Sequence, residues 1–290
     1  MNKLLNSIFY CVWRLLNPGR YISYLFSRKK KINRKSSYSG FLPELEDISK
    51  KINAELKGNY EFLKHVEGAK KSTDETGFLI DCLPYLSTGI KRDILKIGQK
   101  NYFILTLAQN FLGIKPNLNT IIIYANVPRI GDKEIGSKKW HRDGSTFLAA
   151  DFMFAITEIN DENGPFSYIN PDDFGSNRNF KPKVATGWES GGRFSTEEFI
   201  EYGLNPELIN KFTGKSGSYL MLNTGEAFHK GGYCESEIRI LGRFVYSSFG
   251  YSNGNLNKYG VLQSNLKKIA LKLCYNLYSL HEKIYRNLLK

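Results

Sequence analysis

The sequence predicts a mainly β domain with flanking helices. Three observations carry this: strand-like aromatic and β-branched runs at 120–124, 147–157, 217–222 and 238–249, each bounded by Gly, Asn or Pro; helical periodicity confined to the two sides of that region; and a 290-residue length that suits one β-rich domain with decorations. An antiparallel core is the natural assembly of such runs.

In chain order, Leu4, Leu5, Ile8, Val12, Leu15 and Leu16 recur at helical spacing until Asn17-Pro18-Gly19 stops the pattern. Arg14 interrupts this apolar stretch, which falls short of the ~20 residues needed to cross a bilayer, and no small-residue cleavage site follows it. With Tyr21, Tyr24, Leu25, Phe26 and the basic run from Arg28, the segment either lies in a membrane interface or docks on its own domain or a partner. Residues 44–112 read as mainly helical, and the character changes after Lys115-Pro116, where the β core of about 116–250 begins. The stretch 170–215, rich in Gly, Asn, Ser and charge, is a candidate lid. Leu262, Leu266, Ile269, Leu273, Leu277, Leu280, Ile284 and Leu288 then step by three and four through a C-terminal amphipathic helix. The expected organisation is a basic segment over 1–43, a catalytic domain over 44–254 and a basic helix over 255–290.

The formal charge of +13 is concentrated at the ends. Nine basic residues and no acid fall within 1–43, and seven basic residues and one acid within 251–290, which leaves the stretch between them at −2. No broad basic groove for a phosphate backbone is expected, and hence no nucleic acid; the termini are suited to peripheral contact with an anionic membrane, or are simply solvated. Cys11, Cys82, Cys234 and Cys274 lack the paired spacing of zinc or dithiol sites, so a reduced, cytoplasmic thiol population is expected.

Chemistry centres on Trp140-His141-Arg142-Asp143-Gly144. Residues two apart in an extended chain share a face, so His141 and Asp143 can bind one ligand. A second, distant imidazole would complete the two-His, one-carboxylate set that leaves positions open on ferrous iron. Of the four histidines, His65 and His281 lie in helical regions; His229, at a strand end after 222–228, is the candidate partner. Arg239 and Arg243 follow at period two in a strand, and an arginine inside a β core needs an anion, which a dicarboxylate would supply to one of them. Trp140 reads as packing beside the site and Trp188 as a lid anchor. His141-Arg-Asp143 and Asp173-Phe-Gly175 imitate kinase signatures, but Leu148 stands where a kinase has its magnesium-binding Asn.

In these motifs and their order, the sequence resembles the phytanoyl-CoA dioxygenase family of iron(II)- and 2-oxoglutarate-dependent oxygenases. Trp140-His141-Arg142-Asp143 looks like that family's His-x-Asp segment, Asn163-Gly164-Pro165 like its following turn, and His229 and Arg239 like its distal ligand and 2-oxoglutarate arginine. The resemblance spans about residues 100–250, with departures at Asp172-Asp173-Phe174 and Gly231. It implies a double-stranded β-helix (jelly-roll, cupin-like) core, with Fe(II) held by His141, Asp143 and His229 and with 2-oxoglutarate and O2 as co-substrates. The implied reaction is hydroxylation of a small-molecule, lipid-linked or glycan-type substrate. Asp143 sets the chain apart from halogenating relatives, which lack that carboxylate. The alternatives are a catalytically inactive cupin-like binding module and a nucleic-acid demethylase of the same iron class.

Overall fold

A computed structural model describes residues 37–72, 78–112, 115–128, 136–143, 149–171, 173, 193–225 and 227–247. The amphipathic segments expected within 1–36 and 255–290, Trp188, and residues 172 and 174–192 of the expected lid lie outside these residues.

Three layers stack in the order helices, large sheet, small sheet. The helical layer comprises α1 (Pro43–Gly58), α2 (Tyr60–Lys71), α3 (Thr88–Lys100) and α4 (Tyr102–Leu112). Pro43 opens α1 with its φ already helical, and the Asn59 side chain accepts the Phe62 amide at 3.0 Å to cap α2. Leu45, Ile48, Ile52 and Leu56, at helical spacing along α1, are all buried against the sheet.

The large sheet holds six antiparallel strands in the order β1-β7-β4-β9-β3-β2. They are β1 (Ser37–Phe41), β2 (Leu79–Asp81), β3 (Asn117–Asn126), β4 (Ala149–Ala155), β7 (Ser218–Leu222) and β9 (Arg239–Ser247). The small sheet runs β6 (Asn210–Phe212), β5 (Phe166–Tyr168), β8 (His229–Lys230), and an isolated antiparallel bridge adds His141 beside His229. Count the segment at His141 as a strand between β3 and β4, and the eight core strands follow one pattern. They run first, eighth, third, sixth in the large sheet, and second, seventh, fourth, fifth in the small one. This is the order of a double-stranded β-helix, or jelly roll.

Ile121, Ile123, Phe152, Phe154, Phe244 and Tyr246 form the helix-facing side of the large sheet and pack with α1, α3 and α4; each such side chain fully buried contributes about 1.5–3 kcal/mol. The opposite face looks into the jelly roll. There, Met153, Ala155, Leu220 and Leu222 are buried under Phe166, Tyr168 and Phe212 of the small sheet.

Two strands stand where the sequence shows no strand signal. Ser37–Phe41 pairs along its length with β7 as the sheet's edge, and Leu79–Asp81 pairs with β3. Neither carries a period-two apolar run, because an edge strand is held chiefly by backbone hydrogen bonds to a neighbour that is already in place. Of the expected lid, 193–215 contains helix α5 (Thr196–Glu201), capped by a Ser195–Glu198 capping box, and the strand β6.

Candidate metal centre

The bridge between His141 and His229 sets the site. Each residue donates its amide to the other's carbonyl, at 3.0 and 2.9 Å, so both imidazoles leave the small sheet on the same face. The ring centroids are 4.4 Å apart. His141 Nδ1 lies 2.7 Å from the Lys139 carbonyl and His229 Nδ1 3.0 Å from that of Ala227. A carbonyl can only accept, so both Nδ1 atoms carry the proton and both Nε2 lone pairs are left for a ligand.

Asp143 completes the group. Its amide donates to the Thr224 carbonyl at 2.9 Å, which anchors the chain just past the bridge. Its Oδ1 lies 3.7 Å from Nε2 of His141 and 3.7 Å from Nε2 of His229. All three ligand atoms fall within 4.8 Å of one another. Donors sharing one ion at ~2.1 Å stand roughly 3–3.5 Å apart, so a small contraction seats a cation.

Electrostatics favour that use. Burial, then the neighbouring His229, lowers the His141 pKa to about 4, so its ring is neutral at physiological pH. Burial works against the charge on Asp143, but His229 and Arg243 outweigh it and hold the carboxyl well below the usual carboxylate range. Two imidazoles and one carboxylate are the donor set suited to ferrous iron with positions left open.

The structure separates the two arginines of β9. Both point into the jelly roll. The Arg243 guanidinium donates from Nε to Asp151 Oδ1 at 2.8 Å and from Nη2 to Asp143 Oδ2 at 3.1 Å and Thr224 Oγ1 at 3.2 Å. Arg239, four residues back on the same face, is 3% exposed, and its Nε and Nη1 have no partner. Among the described residues no acid pairs with it. Burial lowers its pKa, opposed only by the nearby Cys234.

Along one flank the inward face of the large sheet is only partly covered by the described residues. On β4 the inward residues are buried, but Ile122, Leu241, Arg243 and Val245 on β3 and β9 are half-buried, and Tyr124 is 39% exposed. Arg193 lies on that side too: the hydrogen-bonded pair Trp140–Phe194 places it opposite His141 on the metal-facing side, where its charge helps lower the His141 pKa. Trp140 points the other way, stacked on Phe199 with centroids 5.4 Å apart. His65 is remote on α2, hydrogen-bonded to the Tyr85 hydroxyl at 2.7 Å.

Sequence reasoning missed Asp151, Thr224 and Arg193. Asp151 alone left a signal, an acid inside the apolar run Ala149-Ala150-Asp151-Phe152-Met153. Thr224 and Arg193 are ordinary loop residues until strand pairing brings them to the site.

No family model matches the sequence, and no curated protein matches it. Solved structures superpose on it more broadly. AviO1 from Streptomyces viridochromogenes Tue57 is 10% identical at a TM-score of 0.44, covering 74% of this chain and 90% of AviO1. EctD from S. alaskensis in its apoform is 18% identical at 0.45, covering 74% of each chain. The epimerase SnoN, solved with Fe3+, alpha ketoglutarate and nogalamycin RO, is 14% identical at 0.43, covering 86% of this chain and 92% of SnoN. Likeness at this level leaves activity and substrate to be argued from the residues of the site.

Proposed function

We propose that this protein is a non-haem iron(II)- and 2-oxoglutarate-dependent dioxygenase that oxidises a small molecule, with hydroxylation as its default outcome. The observation that carries the reading is the buried guanidinium of Arg239. Among the described residues it has no acid partner, and it lies on the same strand face as Arg243, which touches the His141, Asp143, His229 cluster. A buried, unpaired cation is costly and is relieved by an anion that arrives from solution.

In this reading His141, Asp143 and His229 hold the metal through two Nε2 atoms and one carboxylate oxygen. The Nδ1–H donors to Lys139 and Ala227 fix ring orientation, so the rings need no rearrangement when metal binds. Arg239 receives a carboxylate of the dicarboxylate co-substrate through its two-pronged fork. When bound, iron(II) activates dioxygen as 2-oxoglutarate loses CO2 to become succinate, so that a substrate C–H becomes C–OH. The half-exposed wall of Ile122, Tyr124, Leu241 and Val245 leaves room for the substrate on the partly covered flank. The resemblance to the phytanoyl-CoA dioxygenase family supports the same residue roles.

The test is anaerobic addition of ferrous iron and 2-oxoglutarate to the purified protein, read by the weak visible charge-transfer band of the complex and by succinate release in air. A band that His141→Ala, His229→Ala and Arg239→Ala each weaken supports the proposal; folded wild-type protein that binds neither ligand overturns it in favour of a binding module without catalysis. A lipid-linked or glycan-type substrate, met at an anionic membrane surface in the cytoplasm, is the further part of this reading that rests on the basic termini. Failure of the full chain to sediment with anionic vesicles removes it.

A further inference from the structure

One guanidinium inside the jelly roll serves two carboxylates. Arg243 Nη2 lies 2.6 Å from Asp151 Oδ1 and 3.1 Å from Asp143 Oδ2, and Nε adds a second donor to Asp151 at 2.8 Å. Asp151 is fully buried on β4, away from bulk solvent. Thr224 locks the set: its hydroxyl donates to Asp151 Oδ2 at 2.6 Å and accepts from Arg243 at 3.2 Å, while its carbonyl takes the Asp143 amide at 2.9 Å. The four residues come from β4, β9 and two loops, and every oxygen of Asp151 and one oxygen of Asp143 is occupied.

A simple buried ion pair would need only Asp151 and Arg243. The third member, Asp143, is bound through Oδ2 alone, and its Oδ1 is turned towards both imidazoles. Two carboxylates against one guanidinium also leave one negative charge, directed at the point where a divalent cation would sit.

We propose that Asp151, Arg243 and Thr224 form a positioning clamp that fixes the Asp143 carboxylate and makes it offer a single oxygen to the metal, keeping further coordination positions open. This rests on the metal-centre reading above and adds to it. Arg243 acts through Asp143; the dicarboxylate belongs to Arg239. Outer partners of metal ligands change metal affinity by about 10–100-fold when removed.

The experiment titrates cobalt(II) into full-length wild type, Arg243→Lys, Arg243→Met, Asp151→Asn and Thr224→Val, with Lys211→Met as the contrasting variant. It reads the dissociation constant, the visible ligand-field spectrum of the bound ion, and the melting temperature of each apo protein. Loss of the clamp is expected to weaken cobalt binding by about 10–100-fold in Arg243→Met and Asp151→Asn. It should also shift the spectrum as Asp143 becomes free to offer both oxygens. Arg243→Lys keeps the charge but cannot bridge both acids, so it should show the shift while preserving the fold. Lys211→Met, on β6 in an exposed pair with Asp161, should leave both cobalt readouts unchanged. Folded Arg243→Lys and Thr224→Val proteins that bind cobalt with wild-type affinity and spectrum overturn the clamp, whatever happens to their melting temperatures. Wild type that binds no divalent ion overturns the metal-centre reading and the clamp with it.

Discussion

His141 and His229, far apart in the chain, are hydrogen-bonded partners across an antiparallel bridge, with ring centroids 4.4 Å apart and each Nδ1 held by a backbone carbonyl. The backbone therefore places the two imidazoles; no side-chain rearrangement is needed to bring them together. Removing either ring deletes one of three donors. His141→Ala and His229→Ala are each expected to weaken divalent-metal binding by at least about 100-fold, or ~2.7 kcal/mol, in a calorimetric titration. The bridge is backbone to backbone, so the circular dichroism of both variants should stay native. Wild-type affinity in either variant would exclude that residue as a ligand.

Arg239 gives a prediction of opposite sign for stability and for binding. Its buried guanidinium has two nitrogens without partners, so Arg239→Met should raise apo stability, by about 1–4 kcal/mol, in chemical denaturation. The same variant should lose the rise in melting temperature that 2-oxoglutarate gives metal-loaded wild type. A variant that is less stable and still responds to 2-oxoglutarate would show that Arg239 has a structural role only.

Gly164 sits in the Asn163-Gly164-Pro165 turn at φ +70°, and a Cβ there would fall 2.0 Å from the Tyr233 carbonyl oxygen. The turn is built around that close approach, with Asn163 Oδ1 taking the Asn160 amide at 2.9 Å. Gly164→Ala should lose at least about 1–3 kcal/mol in urea unfolding from backbone strain alone. Because Tyr233 follows β8 closely, the metal affinity contributed by His229 should fall as well. Unchanged stability would mean that the 231–234 segment yields freely.

Cys82 and Cys234 are buried and free. Burial pushes the Cys82 thiol up to about 12 and that of Cys234 upward too, against the pull of Arg239. Only the thiolate alkylates, and at pH 8 a thiol with that pKa is about one part in ten thousand ionised. Peptide mapping after brief iodoacetamide treatment should find both cysteines unmodified in native protein and modified once it is unfolded. Rapid native labelling of Cys82 would contradict the packing of β2 against β3.

The sequence by itself determined the kinds of element and singled out the candidate site residues. Aromatic and β-branched runs at 120–124 and 238–249 marked the central strands, 44–112 read as mainly helical, and His141, Asp143, His229, Arg239 and Arg243 stood out because metal-ligating and charged residues are conspicuous at strand ends and inside β runs. The edge strand at Ser37–Phe41 was not legible, since Ser-Tyr-Ser-Gly-Phe is held by backbone bonds to β7. Only the tertiary structure decided which arginine is committed and which is free. Arg239 and Arg243 share a strand face and look equivalent in one dimension, but Asp151 on the adjacent β4 lies within reach of Arg243 and not of Arg239. That difference depends on the register between two strands about 90 residues apart in sequence, and register is set by the packing of the whole sheet.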